Sequence, residues 1–307
     1  MMFANYADSV SGSNARVLVV GAAGHIAGSM VPELARRGAT VRGLVRNQAQ
    51  AAAARRCGAA EIAMGDLRDP QSLEAATRGV DAVFHIGPAF VGDEAQLGLN
   101  MVDTAQRAGV RKFVFSGVMH PASGLANHAA KQPVEEALFR SGMEYTILHP
   151  TTLFQNIGGG WAAVIEHGIF AEPFSKTVAI ARVDYRDVAE VAAMALTDDR
   201  LAFGTFELCA DGASTREDIV AVMSDVLGRS IEPGEPSFEE WSAAADLPYN
   251  EQQLETFATV FRYYDEYGSA GNSLVLRAIL AREPRTLRQY IGALAAGAGS
   301  DTPRGSR

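Results

Sequence analysis

The run VLVVGAAGHIAG, residues 17–28, limits what this chain can fold into more than any other stretch. Four apolar residues lead directly into Gly21, with Gly24, Ala27 and Gly28 behind it. A short unbroken apolar run suits a strand buried on both faces, as in a parallel sheet. The pattern G-x-x-G-x-x-A just after it suits a tight turn into a helix. Its first glycine tolerates positive φ. The missing side chains let a ligand approach the backbone, and Ala27 is small enough for close helix–strand packing. The following helix N-terminus offers free amides and the positive end of a dipole, so the anion it invites is a pyrophosphate. Gly21, Ala23, Gly24, His25 and Ile26 are therefore the first candidate cofactor contacts.

The same alternation continues through the first half. Strands are expected at 15–20, 39–45, 60–66, 80–87, 110–117 and 143–150. Helices between them end at Gly38, Gly58 and Gly109, and the third is capped near Asp69 with Pro70 in its first turn. Six strands alternating with helices predict an α/β fold with a doubly wound parallel sheet. In such sheets ligands bind beyond the carboxyl ends of the strands, so residues just after each strand are the candidates. The second half is less regular. A strand runs into a helix within TVAIARVDYRDVAEVAAMAL, and GTFELCADG reads as a strand. STREDIVAVMSDVLG reads as a helix capped by Ser214 or Thr215, and helical stretches follow near 238–245, 250–266 and 285–294. The expected division is a dinucleotide-binding domain over 15–152, with segments around 180–212 returning to it, and a smaller mixed lobe over 153–295. The polar ends, 1–14 and 296–307, read as disordered tails.

Composition narrows the partners. The net charge of −9 argues against nucleic acid, which needs a basic surface. Cys57 and Cys209 are too few for a metal cluster, and the histidines show no ligand spacing, so no metal is expected. The N-terminus has no basic segment followed by an apolar one, and no run of about 18 apolar residues occurs. A small-molecule partner, no membrane contact and a reducing cytoplasmic setting are the expectations.

Strand 2 ends VRGLVRN, and no acidic residue lies between Glu33 and Glu61. A site for NAD places Asp or Glu there, to accept from the ribose 2′-hydroxyl. Arg46 instead offers a guanidinium fork to a 2′-phosphate. NADP(H) is therefore the expected cofactor; Arg42 falls on the other face. Asp66 and Leu67 after strand 3 suit the adenine. Gly87 and Pro88 after strand 4 suit the nicotinamide-ribose side. Ser116 and Pro150, closing strands 5 and 6, should flank the nicotinamide.

Between those two strands lies NHAAKQPVEE. Lys131 can bridge ribose hydroxyls and lower the pKa of a neighbouring acid, or simply pair with Glu135 one turn on. His128, three residues earlier, is the second catalytic candidate, although a nearby Lys⁺ weakens it as an acid. Pro133 is poorly placed inside a regular helix. Either a helix starts there, or it kinks there after an Asn127 cap, and that decides whether His128 and Lys131 share a face. Phe90, Met119, Phe154 and Trp161 are the candidate pocket walls. Phe170 and Phe174 belong with them, ordinary core packing being the competing reading for the aromatics.

Taken together, GAAGHIAG, VRGLVRN, GDLRDP, GVRKFVFSGVMHP, KQPVEEALFRSGMEYTILHPTTLFQN and VDYRDVAEVAA resemble the NmrA-like family, an atypical branch of the short-chain dehydrogenase/reductase superfamily. The resemblance runs from about residue 15 to 293. It implies a Rossmann domain, a smaller C-terminal lobe and NADP preference. It also implies that Lys131 holds the nicotinamide ribose or assists protonation, and that Asn156 lies near the substrate. His149 stands where the family often has arginine. Two activities are compatible with it. One is an NADPH-dependent reductase of a small apolar carbonyl, quinone or enone. The other is a redox sensor that binds NADP(H) without turnover and acts through a protein partner.

Overall fold

The computed structural model describes residues 14–24 and 26–297, so His25 and nearly all of both tails lie outside the described residues. The first half runs β1 (Arg16–Val20), a 3-10 turn at Ala27–Ser29, α1 (Met30–Arg36), β2 (Thr40–Val45), α2 (Gln48–Arg56), β3 (Glu61–Met64), α3 (Pro70–Thr77), β4 (Ala82–Ile86), α4 (Glu94–Arg107), β5 (Lys112–Ser116), α5 (Ala126–Ala129), α6 (Gln132–Arg140) and β6 (Glu144–Pro150). The second half runs β7 (Thr152–Leu153), α7 (Gln155–Gly158), α8 (Trp161–His167), β8 (Ile169–Ala171), β9 (Ile180–Val183), α9 (Tyr185–Thr197), β10 (Gly204–Leu208), β11 (Ala213–Ser214), α10 (Arg216–Leu227), β12 (Glu232–Gly234), α11 (Phe238–Ala245), α12 (Glu251–Tyr267), α13 (Leu274–Leu280) and α14 (Leu287–Ala295).

The doubly wound parallel sheet expected from the alternation is present. Its order is β10-β6-β5-β4-β1-β2-β3, all pairs parallel. Side chains alternate across it. Val17, Val19, Phe84 and Val114 pack on one face with α1 and α9. Leu18, Val20, Val83, Phe113 and Phe115 pack on the other with α3, α4 and α6. Helix α9 lies flat on its face because Ala189, Ala192, Ala193 and Ala195 are small and buried. The strand order reverses between β1 and β4, which opens the crevice where such sheets take their ligands.

The seventh strand, β10, comes from the second half and pairs with β6. Strand β9 instead joins a small sheet, β11-β9-β7, continued by a bridge from Ile180 to Ser269. The lobe has its own core, in which Phe154, Phe170, Ile219, Met223 and Ile291 meet. A second cluster, Phe174, Ile180 and Phe261 with Phe238, Trp241, Phe257 and Tyr264, holds α11 and α12. Helix α13 was not legible in the sequence. It is seven residues long with no side-chain cap. Burial of Leu276 and Leu280 against the sheet domain holds it in place of propensity.

Candidate functional site

The glycine turn has the geometry that its residue types demand. Gly21 leaves β1 with φ +71°, in the left-handed region. The Gly24 amide donates to the Gly21 carbonyl at 2.7 Å, and the Gly28 amide to the Gly24 carbonyl at 2.7 Å. A Cβ on Gly24 would sit 3.1 Å from the Gly21 carbonyl oxygen, so a side chain there would crowd the turn. The amides of Ala23 and Ile26 donate to no backbone carbonyl among the described residues. They are the kind of donors that a pyrophosphate needs, so the turn fits a dinucleotide.

Arg46 is exposed just past β2. Its amide donates to Gln50 Oε1 at 2.8 Å, and no carboxylate pairs with its guanidinium among the described residues. Asn47 caps α2 by accepting from the Gln50 amide. Arg42, by contrast, is fixed on Glu61 and on the carbonyls of Ala76 and Arg78. Asp66 accepts from the Arg68 amide at 2.9 Å, while Asp69 caps α3. The Leu67 carbonyl accepts from Asn100 Nδ2 at 2.8 Å.

Lys131 is not paired with Glu135. Helix α5 ends at Ala129 and α6 starts at Gln132, with Lys131 as its N-cap and Pro133 in its first turn. Of the two possibilities for Pro133, the late start is nearer to what is observed, since α6 begins one residue before it; Asn127 lies inside α5, which has no side-chain cap. The Lys131 ammonium donates to Glu94 Oε1 on α4, and to the Asn127 carbonyl at 3.0 Å. Burial raises the Glu94 carboxyl above its ordinary value, and Lys131 acts against that. Glu94 lies under the β4–α4 loop, where a Cβ on Gly87 would come within 2.7 Å of its Oε1. The sequence offered one weak signal for Glu94: an acid in the first turn of the helix after strand 4, next to Asp93. Glu135 is taken by His149, which meets it through Nε2 at 2.8 Å beneath Gly117.

At the carboxyl ends of β5 and β6 lies a cavity of about 190 Å³. Met119, Pro150 and Thr152 wall one side, and Tyr263, Tyr264 and Tyr267 of α12 wall the other. His128 also faces it. Its Nδ1 is near Ser123 Oγ at 3.2 Å and the His120 carbonyl at 3.3 Å. Burial pulls this imidazole below its ordinary value. The His120 carbonyl opposes the drop, and the charge of Lys131 adds to it. His128 and Lys131 thus point to different neighbours, one to the cavity loop and one to α4. Pro88 lies in the loop after β4, half-buried. Ser116 is buried at the end of β5 with no hydrogen-bond partner of good geometry. The Tyr185 phenol of α9 approaches it, itself raised by burial.

Among the proposed pocket residues, only Met119 lines the cavity. Phe90 instead packs against α12 and the segment before it, 4.6 Å from Phe257 and 5.6 Å from Tyr249 between ring centroids. Phe154 stacks on Tyr290 in the lobe core, with Trp161 beside it. Phe170 and Phe174 are core residues as well. Asn156 is exposed on α7. Among the described residues no cluster of His, Cys, Asp or Glu could hold a metal ion, and no helix is long and apolar enough to cross a membrane.

The family model described as the NmrA-like family matches residues 13–291. The chain belongs to the NmrA-like family. An NAD(P)H azoreductase of Xenophilus azovorans is 31% identical over 221 residues, 70% of this chain and 75% of that one. A photosystem II assembly factor of Synechocystis sp. is 28% identical over 224 residues, 70% of this chain and 68% of that one. The structure of an NADPH-dependent quinone oxidoreductase of Escherichia coli in complex with NADPH superposes with a TM-score of 0.78. It covers 91% of this chain and 99% of that one at 23% identity. In this NmrA-like chain the family fold therefore extends through both the sheet domain and the lobe.

Proposed function

We propose that this protein is an NADPH-dependent reductase of a small apolar carbonyl, quinone or related aromatic acceptor. The observation that carries the reading is the cavity at the carboxyl ends of β5 and β6, on the ligand-binding side of the sheet that the glycine turn opens. The azoreductase and quinone oxidoreductase relatives support the same chemistry.

The residues divide by task. Gly21, Ala23, Gly24 and Ile26 cradle the pyrophosphate, and Arg46 takes the 2′-phosphate. Asp66 and Leu67 hold the adenine, and Gly87, Pro88, Ser116 and Pro150 border the nicotinamide side. Lys131 has three donors, of which Glu94 and Asn127 engage two. The third is free for a ribose hydroxyl, so Lys131 positions the cofactor. When bound, NADPH supplies hydride; the chain must then orient the acceptor, exclude water and deliver a proton. The sheet domain over 15–152 with its returning strand binds the cofactor, and the lobe closes the substrate side.

The assembly-factor relative favours a second reading, in which the dinucleotide is bound without turnover and a protein partner is engaged. A quinone and carbonyl panel with NADPH separates the two, since a sensor binds NADPH and turns over nothing. Arg46→Ala should weaken NADPH at least tenfold and leave NADH unchanged, because a charge-assisted phosphate contact is worth about 1.5–3 kcal/mol. Equal losses for both dinucleotides in a fluorescence titration would remove Arg46 from the 2′-phosphate site.

A further inference from the structure

We propose that Tyr264 of α12 is the proton donor of this site and that Thr152 positions it. The inference rests on the reductase reading above. Three observations carry it. Tyr264 lines the cavity together with Thr152, which stands two residues beyond the end of β6. The two hydroxyls are hydrogen-bonded, Thr152 Oγ1 to Tyr264 Oη at 3.1 Å. The third observation is a buried ion pair behind the two hydroxyls, in which Arg182 donates to both oxygens of Glu172 at 2.8 and 2.9 Å. Thr152 is the register partner of Arg182 on β9, and Arg182 is 3% exposed.

The other titratable groups near the cavity are less suited. His120 lines it but is exposed to solvent. His128 is held neutral by burial and by the charge of Lys131. Lys131 is turned to Glu94 and Asn127 and is absent from the cavity wall. Tyr263 and Tyr267 pack against one another with tilted rings, 4.9 Å between centroids, and form the outer wall. Tyr267 is 66% exposed, so its phenol lies at the mouth. Burial raises the Tyr264 phenol, while Thr152 and Arg182 pull it down and Glu172 and Tyr263 push it up. Tyr264 is therefore protonated at neutral pH, and once the proton has gone the phenolate is steadied by the Thr152 hydroxyl and by an Arg182 charge that Glu172 partly offsets.

The step balances. After reduction the substrate oxygen holds the electron pair of the former C=O π bond and needs one proton. The Tyr264 O–H bond breaks and a new O–H bond forms on that oxygen. The phenolate left behind accepts from the Thr152 hydroxyl beside the Arg182 charge and is reprotonated from water at the mouth. For a quinone, hydride plus this proton gives the hydroquinone. The cavity lies below the roughly 300 Å³ floor of drug-sized sites, and its tyrosine wall suits a planar acceptor of one or two rings.

Y264F and T152V test the assignment with 1,4-naphthoquinone as acceptor and naphthalene as the oxygen-free control. Y264F should lower kcat about 100-fold, the scale of general acid catalysis. NADPH affinity and melting temperature should stay at wild-type values. Without cofactor, calorimetry should show Y264F binding naphthoquinone about fivefold more weakly, the scale of one lost hydrogen bond, with naphthalene unchanged. T152V should lower kcat about tenfold and shift the alkaline limb of its pH profile, with KM little changed. Wild-type turnover and naphthoquinone binding in Y264F would overturn the proposal and leave the reductase intact. So would equal losses for naphthoquinone and naphthalene, which mark a packing role. A wild-type protein that binds NADPH but reduces no acceptor would overturn the reductase reading, and with it the role of Tyr264, before any variant is made.

Discussion

Replacing Lys131 with methionine leaves Glu94 buried opposite a thioether. The side chains of Lys131 and Glu94 are 12% and 4% exposed, so water can do little to re-solvate the orphaned carboxylate. Removing one partner of a buried pair costs about 3–5 kcal/mol. The exposure of Lys131 places this case near 3 kcal/mol. The cost must depend on pH, and its sign follows from the direction of the Glu94 shift. Burial already raises this carboxyl in the folded protein, and Lys131 is the group that opposes the rise. In K131M only the raising influence remains, so the folded carboxyl holds its proton to still higher pH. The unfolded chain releases that proton near pH 4.3. Above that value the folded state binds more protons than the unfolded state, and stability falls as pH rises, by up to about 1.4 kcal/mol per unit. It stops falling once pH passes the folded pKa. The difference between wild type and K131M should thus be small at pH 4.5 and approach 3 kcal/mol at pH 8. Urea unfolding at both values measures it. E94Q/K131M, which removes the charge, should recover about 2 kcal/mol at pH 8 and lose the pH dependence. A penalty equal at both pH values, or no recovery in the double variant, would refute the account of the pair.

His85 is fully buried with neither ring nitrogen hydrogen-bonded, and its pKa falls to about 3, chiefly through burial with a contribution from Lys131. The unfolded chain protonates it near pH 6.5, so the stability it confers is complete above that value and is lost as pH falls toward 3. H85L should remove about 3 kcal/mol of that acid loss between pH 6.5 and 4 and flatten the melting temperature over that range, and an unchanged acid slope would contradict this. Gly98 in α4 would place a Cβ 2.4 Å from Val134 Cγ2. Alanine gains about 1 kcal/mol of helix propensity there but meets an overpacking cost of about 1–3 kcal/mol, so G98A should lower the melting temperature by a few degrees, and a rise would show that Val134 yields freely.

The sheet domain was legible because each of its signals is local. An apolar run, a glycine turn and a capped helix follow one another within about 30 residues, and the buried strands carry their pattern on adjacent positions. Asp69, and Ser214 or Thr215, could be read as caps from their neighbours alone, and of these Asp69 and Thr215 are the caps. The partner of Lys131 was the first failure of local reading. One-turn spacing offered Glu135 as the competing partner, but Pro133 restarts the helix and turns Lys131 toward α4, while Glu135 goes to His149. Phe154 and Trp161 failed for another reason. They follow β6 closely, yet the lobe must bury apolar area of its own, and two large aromatics contribute more in that core than in an open cleft.

The far wall of the cavity was illegible because nothing near β6 in the sequence encodes it. Tyr264 meets Thr152 across 112 residues. What brings them together is a chain of placements: β7 pairs with β9, the start of β9 bridges to Ser269, and α12 ends just before that residue. The apolar stripe Phe257, Phe261 and Tyr264, at intervals of four and three, then seats the helix on Phe174 and Ile180. Read alone, that stripe is the buried face of any amphipathic helix, and Tyr264 is its last member. Only its position distinguishes it. The stripe runs out of core at the cavity, so the hydroxyl that ends it meets Thr152 instead of solvent. A phenol at the boundary between a packed helix face and a cleft is held rigidly and still reaches a ligand. The sequence signal for such a residue is a tyrosine that ends an apolar stripe, and it gains meaning once the strand order shows what lies opposite.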